Sequence, residues 1–208
     1  MDVLGQYLTT LWSLLCQRLQ TSATPKYTRY FLIFLALFID KHGVSTVTTS
    51  LDSVQSGLFG MLLQQVLMPN FASVTGDVEH KLCAVALTKI LCDCPAILSD
   101  KNTWTKLLAL LVTYIEGNAG EGAGGDDGVD EERALAGDSA AFAQLHHAQR
   151  KETDPLPDVR DVRHFLATSL SAMSHTHPVG AVIAQGLDSQ SQNALKSYLT
   201  AAGNLPLN

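Results

Sequence analysis

Apolar residues recur along this chain at helical spacing, in blocks separated by short polar or proline-containing breaks. The first block, 3–20, carries Leu4, Leu8, Leu11, Leu15 and Leu19, a near-unbroken i, i+4 series that predicts one amphipathic helix. Thr24-Pro25 has the form of an N-cap followed by proline at the first helical position, and opens a helix that stops before Gly43. Residues 44–56 are locally ambiguous, because Val44, Thr46, Val47, Thr48 and Thr49 favour strands. A lone strand in a helical chain would leave its backbone unpaired, so a helix is assigned there.

In 57–95, Leu58, Phe59, Leu62, Leu63 and Val66 form a stripe that Met68-Pro69-Asn70 should interrupt, since proline lacks an amide hydrogen and clashes with the preceding turn. Leu82, Cys83, Val85, Ala86, Ile90 and Leu91 make a second stripe, wide enough to face neighbours on more than one side. Asp77 and Glu79 lie at the positive end of that helix, 77–93. Thr103-Trp104 opens a further helix to about Glu116, with Leu107, Leu108, Leu110, Leu111 and Tyr114 inward. From Gly117 to Gly137 the sequence turns glycine-rich and acidic. Too little apolar surface is present to offset the entropy of ordering, which predicts a mobile loop. Helix returns at 138–150. Residues 154–157, DPLP, form a rigid connector, and Asp158 is expected to cap a helix through about Ser174. Helices at 179–186 and 189–202 follow. Ser189-Gln190-Ser191-Gln192 has capping-box spacing, and Ala194, Leu195, Tyr198 and Leu199 face inward.

The pattern predicts an all-α chain of about 8 to 10 helices packed as antiparallel pairs, a HEAT-type α-solenoid with repeats of about 40 residues. No strict internal repeat is visible, so periodicity alone supports an irregular array. Such a scaffold binds proteins rather than turning over substrates.

Composition sharpens this reading. With 46% hydrophobic and 16% charged residues, the helices need neighbours on both sides. A net charge of −6 argues against a general nucleic-acid binder, which needs a basic surface. Met1-Asp2 is acidic where a signal peptide would be basic, so Cys16, Cys83, Cys92 and Cys94 are expected to be reduced thiols of an intracellular protein. The most membrane-like stretch, Tyr30 to Ile39, is half the roughly 20 residues a span requires and reads as a buried helix.

Candidate chemistry is thin. Gly120, Gly122 and Gly125 satisfy G-x-G-x-x-G, but no strand precedes them, and Asp126-Asp127 follow where a phosphate would sit. Cys92-Asp93-Cys94, with Cys83, His80 or His42, matches no structural zinc spacing. His146-His147 are adjacent on a helix, so their rings diverge by about 100°. His175-Thr176-His177 lies at a helix end, where histidine suits the dipole. Trp12 and Trp104 sit on apolar stripes as core anchors. The acidic run Asp126, Asp127, Asp130, Glu131 and Glu132 lacks the ligand order of a calcium loop and reads as a solvated loop able to contact a basic partner segment. No catalytic residue, cofactor or metal is expected.

Four segments add a resemblance: PKYTRYFLIFLALFIDKHG (25–43), LFGMLLQQVLMPNFASVTGDVEHKLCAVALTKILCDCP (58–95), AFAQLHHAQRKETDPLPDVRDV (141–162) and LKSYLTAAG (195–203). In order, from about Leu8 to Gly203, the chain resembles the C-terminal part of the importin-α re-exporters (the exportin-2 or cellular apoptosis susceptibility family) of the importin-β superfamily. The resemblance implies a HEAT-repeat scaffold that helps hold importin-α in a complex with Ran-GTP, shuttling between nucleus and cytoplasm. The family's N-terminal Ran-binding repeats have no counterpart in this sequence. The chain is therefore expected to be a fragment or a short relative that does not transport alone, with uncovered leucines on helix 3–20. The other readings are an unrelated helical adaptor and, third, a helical enzyme using histidine or cysteine.

Overall fold

The computed structural model describes residues 2–117, 154–177 and 180–203, and the side chains of residues 2–4 and 6 are not among the described features. The helix expected at 138–150, the loop beyond Gly117, and His146, His147, Gly120, Gly122 and Gly125 lie outside the described residues.

Every regular element among the described residues is helical: α1 (Asp2–Thr21), α2 (Pro25–His42), α3 (Val44–Asp52), α4 (Leu58–Leu62), α5 (Met68–Asn70), α6 (Asp77–Asp93), α7 (Pro95–Ser99), α8 (Lys101–Gly117), α9 (Val162–Ser174), α10 (Gly180–Gly186) and α11 (Ser189–Ala201). Thr24 caps α2 by accepting the Tyr27 amide hydrogen at 3.2 Å. Gly43 ends it at φ +81, a conformation open to glycine, and its amide bonds Ile39 at 2.8 Å. The chain then bends by 118° into α3. The strand-favouring residues of α3 are helical because Val44, Val47 and Leu51 are buried, while Thr48 and Ser50 return their hydroxyls to the Val44 and Val47 carbonyls. The helix is shorter than the expected 44–56, ending at Asp52.

The interruption at Pro69 begins earlier than the sequence implied. A π-helical turn, Leu63–Leu67, widens the register ahead of the proline, whose ring would meet the carbonyl four residues back at Gln65. The helix thus survives through Asn70, and a 3-10 turn, Phe71–Ser73, closes it.

α6 is the centre of the array. Leu82 through Thr88 are all buried, because α6 packs on α2 along one side and on α8 and α9 along others. α1 lies on α2 and α3, α8 touches α10 and α11, and α9 joins α6 to α11. Trp12 is fully buried, donating its indole hydrogen to Ser50 Oγ at 2.9 Å, and Phe34 and Phe38 flank its ring at 5.8 and 5.4 Å. Trp104 donates to the Leu91 carbonyl at 3.1 Å, so both tryptophans are core anchors, as expected.

Three helix starts differ from expectation. Asp100, not Thr103, caps α8, accepting from the Asn102 and Thr103 amides and the Thr103 hydroxyl. Asp161, not Asp158, caps α9 through the Arg163 amide at 2.8 Å. Asp188 caps α11 through the amides of Gln190 and Ser191. The Ser189–Gln192 capping box does not form, because Gln192 instead donates to the Ala184 and Leu187 carbonyls. On α1, Leu8, Leu15 and Leu19 are half-buried against the core; among the described side chains of α1 the exposed large hydrophobics are Tyr7 and Leu14. Among the described residues no single helix is long and apolar enough to cross a membrane.

Candidate partner-binding site

Charge is distributed unevenly along the chain. Residues 118–153 hold eight Asp or Glu against three Lys or Arg, so they carry five of the six net negative charges. The expected contact residues Asp126, Asp127, Asp130, Glu131 and Glu132 belong to this stretch and lie outside the described residues. The helices from which it departs and to which it returns are described, and they define its root.

Both ends of the acidic stretch are tied to consecutive residues of α6. At the exit, His80 Nε2 lies 3.0 Å from the Tyr114 carbonyl oxygen in the last turn of α8, and the two rings lie tilted by 42° with centroids 4.2 Å apart. A carbonyl only accepts, so Nε2 carries the hydrogen. Burial pushes the imidazole below the usual histidine range, against opposing effects of the Tyr114 bond and Asp77, and keeps it neutral. At the return, Lys81 Nζ donates to Asp154 Oδ2 at 2.6 Å and to the Leu156 carbonyl at 2.7 Å. The Lys81 ammonium holds the Asp154 carboxyl below the usual carboxylate range, helped by the Leu156 amide. Beside the exit, Glu116 pairs with Arg163 of α9 at 3.2 Å and accepts the Tyr198 hydroxyl of α11. The Arg163 guanidinium lies 5.7 Å from the Tyr198 ring centroid. Two cations therefore border the root of an acidic stretch.

Beneath the root, the Tyr114 hydroxyl donates to the Val74 carbonyl at 3.1 Å, and Arg29 donates to the Thr75 carbonyl at 2.8 Å. These bonds fix the turn before α6, where Gly76 at φ +102 leaves room for the Glu79 carboxylate. Further along α6, Lys89 reaches the nearly buried Asp40 of α2 at 2.8 Å. Burial raises the Asp40 carboxyl, but Lys89 and Lys41 outweigh it and hold it below its usual range.

The other candidates do not converge. Cys16, Cys83 and Cys94 are buried free thiols and Cys92 is partly covered. Burial pushes Cys83 and Cys92 up to about 12, which suppresses the nucleophilic thiolate. Among the described residues no group of three or more His, Cys, Asp or Glu is placed to hold a metal ion. His175 and His177 are exposed just past the end of α9. A cleft of about 420 Å³ between α1 and α3 is lined by hydroxyls such as Thr9, Thr46 and Ser53, and among the described residues no titratable group lines it. The pairings among Lys81, Asp154, Glu116, Arg163 and Tyr198 had no sequence signal, because they span 73 to 82 residues or bridge separate helices, although Tyr198 was expected to face inward.

Comparison with known proteins places this architecture. Residues 1–198 match the family model for the C-terminus of the CAS/CSE protein. Exportin-2 of Oreochromis niloticus is 36% identical over 206 residues, covering 97% of this chain and 21% of that protein. Exportin-2 of Homo sapiens is 34% identical over 212 residues, again with 97% and 21% covered. The solved structure of the exportin Cse1 in its cargo-free, cytoplasmic state superposes with a TM-score of 0.72, covering 96% of this chain and 20% of that one at 20% identity. That likeness fixes the fold as a HEAT-type α-solenoid. The chain spans about a fifth of the length of the curated relatives it matches.

Proposed function

The chain belongs to the CAS/CSE exportin family, through its C-terminal region, and from that premise we propose that it is a binding segment of a nuclear export receptor. Its task is to help hold importin-α for Ran-GTP-dependent export from nucleus to cytoplasm, as a single C-terminal HEAT region and a scaffold without catalysis. The observation that carries this reading is the family match along 1–198, with relatives 34–36% identical over 97% of the chain.

Within the segment, we assign contact with a basic part of the cargo to Asp126, Asp127, Asp130, Glu131 and Glu132. The near-neutral helical body supports that assignment, since it leaves the acidic stretch as the main electrostatic feature. Anchoring both ends on α6 lowers the entropy cost of presenting the stretch to a partner. Recognition spread over a long superhelix gains from linked patches, so this chain alone binds importin-α weakly or not measurably and does not bind Ran. The test is a pull-down of importin-α and of GTP-loaded Ran with the isolated chain. Tight Ran binding by this chain alone would show that the partners are held elsewhere than proposed.

A further inference from the structure

We propose that the acidic run from Asp126 to Glu132 docks on the chain's own hairpin of α1 and α2, where it meets a basic patch of Arg18, Lys26 and Arg29. The helical body is near neutral overall, yet no Asp or Glu occurs from Val3 to Ile39, so those three residues give the hairpin a charge of +3. Tyr27 joins the two helices of the patch. Its ring lies 5.5 Å from the Arg18 guanidinium of α1, and it stands between Lys26 and Arg29 at the start of α2. Among the described residues, no carboxylate lies within ion-pair distance of Arg18 or Arg29.

Placement, reach and charge make the acidic run the occupant. Arg29 donates to the Thr75 carbonyl at 2.8 Å and Tyr114 to the adjoining Val74 carbonyl at 3.1 Å, so the start of α2 and the last turn of α8 meet at one turn of chain. The patch thus lies on the edge of the array from which the acidic stretch departs, at Gly117. Asp126 follows Gly117 by nine residues, a reach of up to about 30 Å. A tether of that length sets an effective concentration on the order of millimolar, enough for weak exposed ion pairs to form together. With eight Asp or Glu against three Lys or Arg, residues 118–153 complement the hairpin. Resting on the partner-contact role proposed above, this docking makes the hairpin an internal competitor. A basic cargo segment must displace it, and the apparent affinity falls by the fraction of chains with the acidic run free.

Zero-length carbodiimide coupling of the dilute chain, mapped by mass spectrometry, tests the contact, since it joins only an amine and a carboxylate that touch. Lys26 is expected to couple to residues 126–132 at least about fivefold more often than Lys106, an exposed lysine about 17 Å from Gly117 along α8 and so within the same reach. Arg18→Glu, an exposed substitution, or salt at about 0.5 M should remove that preference at unchanged helicity. The preference should persist when the chain stands in human Exportin-2 in place of its matching region, with further helices ahead of α1. For the competition, an oligolysine peptide should bind Arg18→Glu/Lys26→Glu at least about threefold more tightly than Lys101→Glu/Lys106→Glu, a variant of identical net charge. Neither measurement involves importin-α, so the docking is decided independently of the cargo role. Coupling of Lys26 no more frequent than that of Lys106, its loss within Exportin-2, or equal oligolysine affinity of the two variants overturns the proposal.

Discussion

Lys81 and Asp154, separated by 73 residues in sequence, meet at 2.6 Å and bring the chain back onto α6 after the acidic stretch. The neighbouring His80 holds the α8 turn from which that stretch departs, so one point on α6 anchors both ends.

Replacing Lys81 with Met should release the return without unfolding the core. The amides of Leu156 and Val159, which bond Asp154 Oδ1 and the Leu156 carbonyl, are expected to exchange at least about tenfold faster, while the centre of α6 keeps its protection. Hydrogen exchange read by NMR checks this. Uniform acceleration across α6 would show that Lys81 supports the whole body.

The same pair sets a pH dependence. The Asp154 carboxyl is held below its unfolded value, so its contribution is complete above about pH 4 and disappears as pH falls through the lower folded value. Exchange at Leu156 should accordingly show no pH-dependent opening between about pH 5 and 8, and should show it only under acid.

Leu87 is fully buried on α6, which has neighbours on several sides, and Leu87→Ala should cost about 2–5 kcal/mol in chemical denaturation. A smaller cost would mean that the helices around α6 collapse into the space.

Much of this arrangement was legible in the sequence. The proline-led start of α2, the acids opening α6 and the apolar face of α8 report on backbone chemistry within one or two turns, and each was read from its own residues. The π turn at Leu63–Leu67 was not legible, because a proline signals a defect but not the register that absorbs it. The caps were misplaced where several Asp, Ser or Thr residues compete within a few positions, as with Asp158 and Asp161. α7, Pro95–Ser99, is too short to show a helical period, although Pro95 after Cys94 is a helix-start signal. The root of the acidic stretch depends on Lys81, Arg163 and Tyr198 meeting partners far along the chain, and local patterns carry no trace of that.

Converting Asp126, Asp127, Asp130, Glu131 and Glu132 to Ser should leave helicity unchanged and remove any affinity for importin-α. In the unmodified chain that affinity should weaken as salt rises from low to physiological. Fluorescence anisotropy at two ionic strengths distinguishes this outcome from salt-insensitive binding, which would place the contact on apolar helix faces.

The most direct test of the export-segment reading is a chimera in which this chain replaces the matching C-terminal region of human Exportin-2. The quantity to measure is importin-α affinity with and without Ran-GTP. A binding segment of this family should preserve Ran-GTP-dependent capture of importin-α to within about tenfold of the parent. A folded chimera that still binds Ran-GTP but no longer captures importin-α would contradict the account.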